Sequence, residues 1–302
     1  MSVAVHLPGT GEETPAGGAD ARRRRGWAGY LLLLPGGLWL LLFFVVPTVT
    51  LVATSLYDPS GSLQTGYAMT GHVQNYADAL RDYVPQFLRS LVYALIATGA
   101  CIVLGFPLAY AIAFKAGRWK NLMLVAVIAP FFTSFLVRTL SWQYLLGDNE
   151  TLVSVLRTLH VLGPDGHLLA TPFAVVTGLT YNFLPFMVLP LYASLEKLDP
   201  RLLEAGADLY ASPVATFRRV TLPLAMPGLV AGTLLTFIPA AGDYINSELL
   251  GNPQTRMIGN EIQDLFAAGD YPTAASLSVT LMAAIVLMVF LYVRRSGTED
   301  LV

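Results

Sequence analysis

Asp199-Pro200-Arg201-Leu202-Leu203-Glu204-Ala205-Gly206-Ala207-Asp208-Leu209-Tyr210-Ala211-Ser212-Pro213, continuing to Arg218-Arg219-Val220-Thr221-Leu222-Pro223, is a charged interruption in an otherwise apolar chain. Asp199 before Pro200 and Ser212 before Pro213 each set an N-capping side chain ahead of a proline at the first helical position. Good helix formers lie between the two signals, and Glu204 and Asp208, four apart, share one helical face. Leu222-Pro223 is expected to stop the second helix, because proline lacks the N–H and restricts the residue before it. The stretch therefore predicts two short charged helices, a surface that a partner can grip.

Outward from this stretch the chain is greasy. Of 302 residues, 55% are hydrophobic and only 13% charged, with a mean hydropathy of +0.59. Repeated bilayer crossings account for that composition better than a soluble core does. Six stretches are long enough to cross: 30–53, 90–114, 121–146, 171–195, 227–249 and 271–293. The expected fold is an all-α membrane protein of six transmembrane helices. The third stretch carries Arg138 and the fifth Asp243. Prolines inside the spans, Pro107, Pro130, Pro185 and Pro190 among them, suggest kinked helices whose freed carbonyls are satisfied by neighbours. The single cysteine, Cys101, excludes an internal disulfide and reads as a buried, inert thiol.

The basic residues set the orientation. Arg22–Arg25, then Lys115, Arg118 and Lys120, then Lys197, Arg201, Arg218 and Arg219, and finally Arg294-Arg295 hold 13 of the 18 Lys and Arg. With an even number of spans they all fall on one side, which the positive-inside bias makes the cytoplasm. Both termini and the charged loop then face inward. Residues 1–26 are expected to be a disordered basic cytoplasmic tail, 27–295 the six-helix domain with its loop at 196–226, and 296–302 a second tail. Arg22–Arg25 ahead of Leu31–Leu34 also resembles a signal peptide. The apolar run is too long for an h-region, though, and no small-x-small site follows it.

No catalytic residue, metal site or cofactor is expected. His6, His72, His160 and His167 make no metal-ligand spacing, and there is no G-x-x-x-x-G-K-[ST] loop or G-x-S-x-G elbow. The function therefore rests on the polar content of the spans. Counted from the cytoplasmic starts of their spans, Arg138 and Asp243 lie at similar depth, which allows an ion pair between them or a direct contact with a solute. Asn182, Tyr244, Asn246 and Glu248 surround them, with Thr133, Ser134, Gln143 and Tyr181 nearby. Hydrogen bonding between helices is the plainer role for any one of these. Asp148, Glu150, Asp165, Glu261, Asp264 and Asp270 make the outer loops acidic. An acidic mouth attracts cations, although positive-inside bias alone leaves outer loops short of Lys and Arg.

The charged loop resembles the EAA loop of binding-protein-dependent ABC transporter permeases: Glu-Ala-Ala, three residues, Gly, nine residues, Ile-x-Leu-Pro. Glu204, Ala205, Val220, Leu222 and Pro223 fall at that spacing; Gly206 replaces the third motif residue and Tyr210 the motif glycine. A tyrosine there would be strained at positive φ, unless the turn shifts to Ala211. The resemblance implies a MetI-like importer permease fold with a cytoplasmic coupling-helix loop that docks on an ATPase. Glu204 and Asp208 with Arg218 and Arg219 would supply the polar contacts, while Ala205 and Gly206 allow close approach and Leu222-Pro223 closes the loop. Arg218 and Arg219 read equally well as topology signals.

Several stretches are similar to the polyamine (spermidine/putrescine) branch of that family. They include Gly105-Phe106-Pro107-Leu108-Ala109-Tyr110, Ala129-Pro130-Phe131-Phe132-Thr133-Ser134, Arg138-Thr139-Leu140-Ser141-Trp142, Pro239-Ala240-Ala241-Gly242-Asp243-Tyr244 and Met257-Ile258-Gly259-Asn260. The branch often has glutamate where this chain has Asp243. The similarity implies a multi-pass subunit of a prokaryotic inner or plasma membrane, embedded in lipid, that passes a small cation to the cytoplasm. Its implied partners are a pair of ABC ATPase subunits, a second permease subunit and an extracytoplasmic solute-binding protein, and no nucleic acid. Permeases for thiamine, ferric iron and other solutes share much of the pattern. A stand-alone secondary transporter, or a membrane scaffold or sensor, would leave the loop without a coupling role.

Overall fold

The structure, a computed structural model, describes residues 31–163 and 165–295. The expected tails at 1–26 and 296–302 lie outside the described residues. The chain divides into two units, residues 1–52 and 53–302. The first contains nearly all of α1 (Leu31–Thr54), an apolar helix with one π-turn at Leu41–Val45.

The second unit holds the rest. In order it comprises α2 (Gln74–Lys115), α3 (Gly117–Phe132), α4 (Phe135–Leu145), α5 (Thr151–Thr158), α6 (Pro172–Glu196) and α7 (Pro200–Asp208). These are followed by α8 (Pro213–Ala241), α9 (Ile245–Leu250), α10 (Ile258–Ala268) and α11 (Tyr271–Arg295). Among the described residues, five helices are long and apolar enough to cross a membrane, and six spans result when the bent pair α3–α4 counts as one.

α6 is the centre of the unit, packed against α2 and α8, which also touch each other. Small residues make this possible. A Cβ on Gly228 of α8 would sit 2.4 Å from the Pro190 carbonyl oxygen and 2.5 Å from Ser194 Oγ, so only glycine admits the approach. Cys101, Met187, Val188, Leu191, Leu195 and Ala225 are buried around this crossing, and Cys101 Sγ donates to the Thr180 carbonyl at 3.4 Å. Pro185 and Pro190 lie inside α6 without ending it.

Three expectations change. The third span is not one helix: the chain turns by 95° at Thr133-Ser134, whose extended backbone separates α3 from α4. The proline at Pro130 shortens the end of α3 to a 3-10 turn, Ala129–Phe132, and leads into the break. Leu222-Pro223 does not stop a helix either; α8 begins at Pro213 and runs through it to Ala241. A π-turn at Phe217–Thr221 widens the helix just before Pro223, which absorbs the missing N–H. Packing holds the turn in place, because Phe217 meets Phe106 edge-on at 5.3 Å and Leu222 packs against the core. At its other end α8 stops at Ala241, short of the expected 249, so Asp243 lies in the corner between α8 and α9. Finally, the outer loop expected after 249 contains α10, an amphipathic helix closed by Gly269 in the left-handed conformation.

Candidate functional site

Two polar regions stand out. The first is the loop around α7. Asp199 Oδ1 accepts the Arg201 N–H at 2.9 Å and Ser212 Oγ accepts the Ala215 N–H at 3.2 Å, so both capping signals operate as read. Between the caps, Tyr210 takes a φ of +57°, the left-handed conformation that a glycine would adopt freely. The turn does not shift to Ala211. Gly206 has a role inside the loop: a Cβ there would meet Thr216 Oγ1 at 3.0 Å, so the glycine lets α7 lie close against the start of α8. Glu204, Ala205, Asp208, Arg218, Arg219 and Pro223 are exposed. Among the described residues, none of the four charged groups is in an ion pair within 4 Å. Leu209 and Tyr210 extend the same surface, with Tyr210 98% exposed. Leu222 is turned the other way and anchors the loop to the core.

A tyrosine in this backbone region carries roughly 1 kcal/mol of strain. Tyr210→Gly is expected to relieve it, offset in part by the freedom glycine gains in the unfolded chain. Amide hydrogen exchange at residues 205–212 should slow in the variant; unchanged or faster exchange would show that the tyrosine is not strained there.

The second region lies where α4, α6, α9 and α10 converge. Asn182 of α6 donates from Nδ2 to Thr139 Oγ1 of α4 at 3.1 Å and to Asn246 Oδ1 of α9 at 3.0 Å. The Asn246 backbone N–H and its Nδ2 both donate to Asp243 Oδ1, at 2.8 and 3.2 Å. All four side chains are buried. Gly178 clears the space, since a Cβ there would lie 2.6 Å from Asn246 Oδ1. On the far side of α9, Asn260 donates to the Tyr244 carbonyl at 3.1 Å and to Glu248 Oε2 at 3.0 Å, and pairs with Ser247 Oγ. The Tyr244 and Glu248 side chains remain exposed.

Arg138 and Asp243 do not form the ion pair that equal depth suggested. The third span turns by 95° before Arg138 and α8 ends at Ala241 before Asp243, so counting along continuous spans misplaces both. Arg138 is instead 8% exposed, with its guanidinium carbon 5.1 Å from the Phe131 ring centre and 5.6 Å from that of Phe135. Its Nε and Nη1 have no hydrogen-bond partner. Thr139, Ser247 and Asn260 were not singled out by sequence. Thr139 and Asn260 sit inside the quoted similar stretches, and that was the only signal they gave.

The acidic mouth is also less acidic than its composition. Asp148 pairs with His167 Nδ1 at 2.8 Å and Arg157 at 3.7 Å, and Arg256 pairs with Glu261 at 3.2 Å and with Asp264. Burial pulls the Arg256 guanidinium down, yet the Asp264 hydrogen bond and the charges of Glu261, Asp264 and Glu248 hold it above its ordinary value.

Residues 79–296 match the family described as binding-protein-dependent transport system inner membrane component. The chain belongs to that family. The permease is 40% identical over 260 residues to the spermidine/putrescine transport system permease protein PotB of Escherichia coli K12, covering 85% of this chain and 94% of that one. It is 36% identical to the protein of the same name from Haemophilus influenzae over 258 residues, covering 85% and 90%. In fold it is similar to a chain of the bacterial ABC transporter for the acidic polysaccharide alginate. That likeness has a TM-score of 0.64 at 18% identity and covers 93% of this chain and 98% of the other. The permease is thus a multi-pass inner-membrane transport subunit and not itself an enzyme, and its helices follow the importer-permease fold.

Proposed function

We propose that this permease carries a polyamine, a spermidine- or putrescine-like cation, from an extracytoplasmic binding protein into the cytoplasm. ATP hydrolysis takes place on a separate pair of subunits, and a second permease completes the passage. The observation that carries this reading is the 40% identity to a spermidine/putrescine permease along nearly the whole of both chains. The exposed, unpaired charges of the α7 loop fit a docking surface for the ATPase, with Glu204, Ala205, Gly206, Asp208, Arg218 and Arg219 at or beside the contact. Both termini then lie in the cytoplasm, on the side of that loop. ATP-driven closure rocks the helices between inward- and outward-open states, and Arg138, Asn182, Asp243, Tyr244, Asn246 and Glu248 line or support the path. Asn182 and Asn246 serve chiefly by holding α4, α6 and α9 together, whereas Tyr244 and Glu248 offer an exposed ring and carboxylate to a cation.

The test is ATP-driven uptake of labelled spermidine by the complex in proteoliposomes, with unlabelled putrescine, thiamine and ferric iron as competitors. Spermidine uptake that putrescine suppresses, and thiamine and iron do not, is the expected result. Uptake of thiamine or iron in place of spermidine would overturn the reading of the solute.

A further inference from the structure

Four phenylalanines wall one cavity. Phe131, Phe135, Phe183 and Phe186 line about 580 Å³ between α3, α4, α6 and α8. Their rings touch in series: Phe131 to Phe186 at 5.1 Å, Phe186 to Phe183 at 6.2 Å and Phe183 to Phe135 at 6.1 Å. The faces of such rings are negative and attract cations, most strongly where water is excluded. A buried polar acceptor left open on this wall points to the same chemistry. Asn182, 1% exposed, spends its Nδ2 on Thr139 and Asn246, while its Oδ1 has no partner. A buried acceptor without a donor is costly, and an N–H from a ligand would satisfy it.

A cation already occupies part of this site. The Arg138 guanidinium rests on Phe131 and Phe135, with Nε and Nη1 unpaired and, among the described residues, no carboxylate within 4 Å. Buried guanidinium groups ordinarily end on a carboxylate or a carbonyl. Here the ring faces take that place. Arg138 also walls a second cavity of about 410 Å³, with Thr133, Ser141, Trp142 and Tyr181, so it stands between the two spaces. A cation that carries N–H donors is the ligand class that gains from both the ring faces and the open Asn182 oxygen, once the guanidinium gives up its place.

We propose that the phenylalanine-walled cavity is a binding site for the ammonium groups of the solute, and that Arg138 is a tethered cation that occupies it until the solute displaces it. This rests on the polyamine reading above. The consequence is a seal. With Arg138 seated, any cation entering the passage meets a like charge and ring faces already taken. With the solute bound, the rings exchange one cation for another, and the guanidinium is free to move toward the second cavity.

The experiment uses the whole complex in proteoliposomes loaded with labelled spermidine, and reads efflux without ATP alongside ATP-driven uptake. Arg138→Gln keeps the length and hydrogen-bonding capacity of the side chain but removes the charge. It is expected to raise ATP-independent efflux about tenfold, the scale of a desolvated cation–ring contact. Arg138→Lys, which keeps the cation, should stay tight. Should Arg138→Gln fail to assemble, Phe131→Leu tests the same seal by an apolar exchange that removes one ring from under the guanidinium, and it too should leak. An assembled Arg138→Gln or Phe131→Leu complex whose vesicles are as tight as wild type overturns the inference, whatever its uptake rate. Failure of the wild-type complex to take up spermidine would instead strike the polyamine reading, and it appears before any variant is made.

Discussion

Glu204→Arg is expected to strip the ATPase from the permease and to abolish uptake. Glu204 is exposed on α7, has no ion-pair partner within 4 Å among the described residues, and lies two residues before the glycine that seats α7 against Thr216. Reversing its charge sets a cation where the proposed docking surface presents an anion. Like-charge juxtaposition across an interface of this kind weakens binding on the order of 100-fold. Arginine is as good a helix former as glutamate, so α7 itself should survive. Co-purification of tagged permease with the ATPase, together with expression level and detergent melting, separates the two effects. Lost co-purification at unchanged melting is the predicted pattern. Full co-purification of the variant would remove Glu204 from the docking surface.

Asn246→Ala is expected to be the most destabilising single change in the polar cluster. The side chain is fully buried and joins three others: its Oδ1 accepts from Asn182, its Nδ2 donates to Asp243, and Thr139 lies 3.5 Å from the same oxygen. Alanine leaves Asn182 Nδ2 with Thr139 alone and deprives the buried Asp243 of a donor. Each buried group left short of a partner costs about 1–3 kcal/mol, and hydrogen bonds between membrane helices sit toward the lower end of that scale. The expected loss is about 2 kcal/mol, read as earlier melting and lower assembly yield in detergent. Asn182→Ala should mimic it, and the double variant should cost less than the two singles combined, because both remove the same bond. Strict additivity would mean that the pair does not act as a unit.

What the sequence conveyed depends on whether a feature is local. The caps at Asp199 and Ser212 are decided within four residues, and both are made as read. The apolar spans are equally local, and four of the six appear as single helices; the third breaks at Thr133-Ser134 and the fifth ends at Ala241, before the corner that holds Asp243. The course of the chain through Leu222-Pro223 is not local. A lone Leu-Pro signals a stop, and the π-turn that carries the helix past it is backed by Phe106, over 100 residues away. The 95° break at Thr133-Ser134 had a visible cause in Pro130, but other prolines, Pro185 and Pro190, lie in α6 without breaking it. Proline alone does not distinguish the two cases.

The polar cluster shows the same division. Asn182, Asn246 and Asp243 stand out because polar residues are rare in such segments, and the fold brings them together. The Arg138–Asp243 pairing failed because it assumed continuous spans. Arg138 could not be assigned to the phenylalanines from sequence either, since Phe183 and Phe186 reach the cavity from a helix some 50 residues further along the chain.

The central claim is that this permease moves its solute only when coupled to ATP hydrolysis through the α7 loop. The most direct measurement is the ATPase rate of the complex in proteoliposomes, with spermidine-loaded and empty binding protein, for wild type and Glu204→Arg. The account predicts a rate raised by the loaded binding protein in the wild type and no such rise in the variant. Spermidine uptake by the permease alone, driven by an ion gradient and indifferent to the ATPase and to Glu204→Arg, would contradict it.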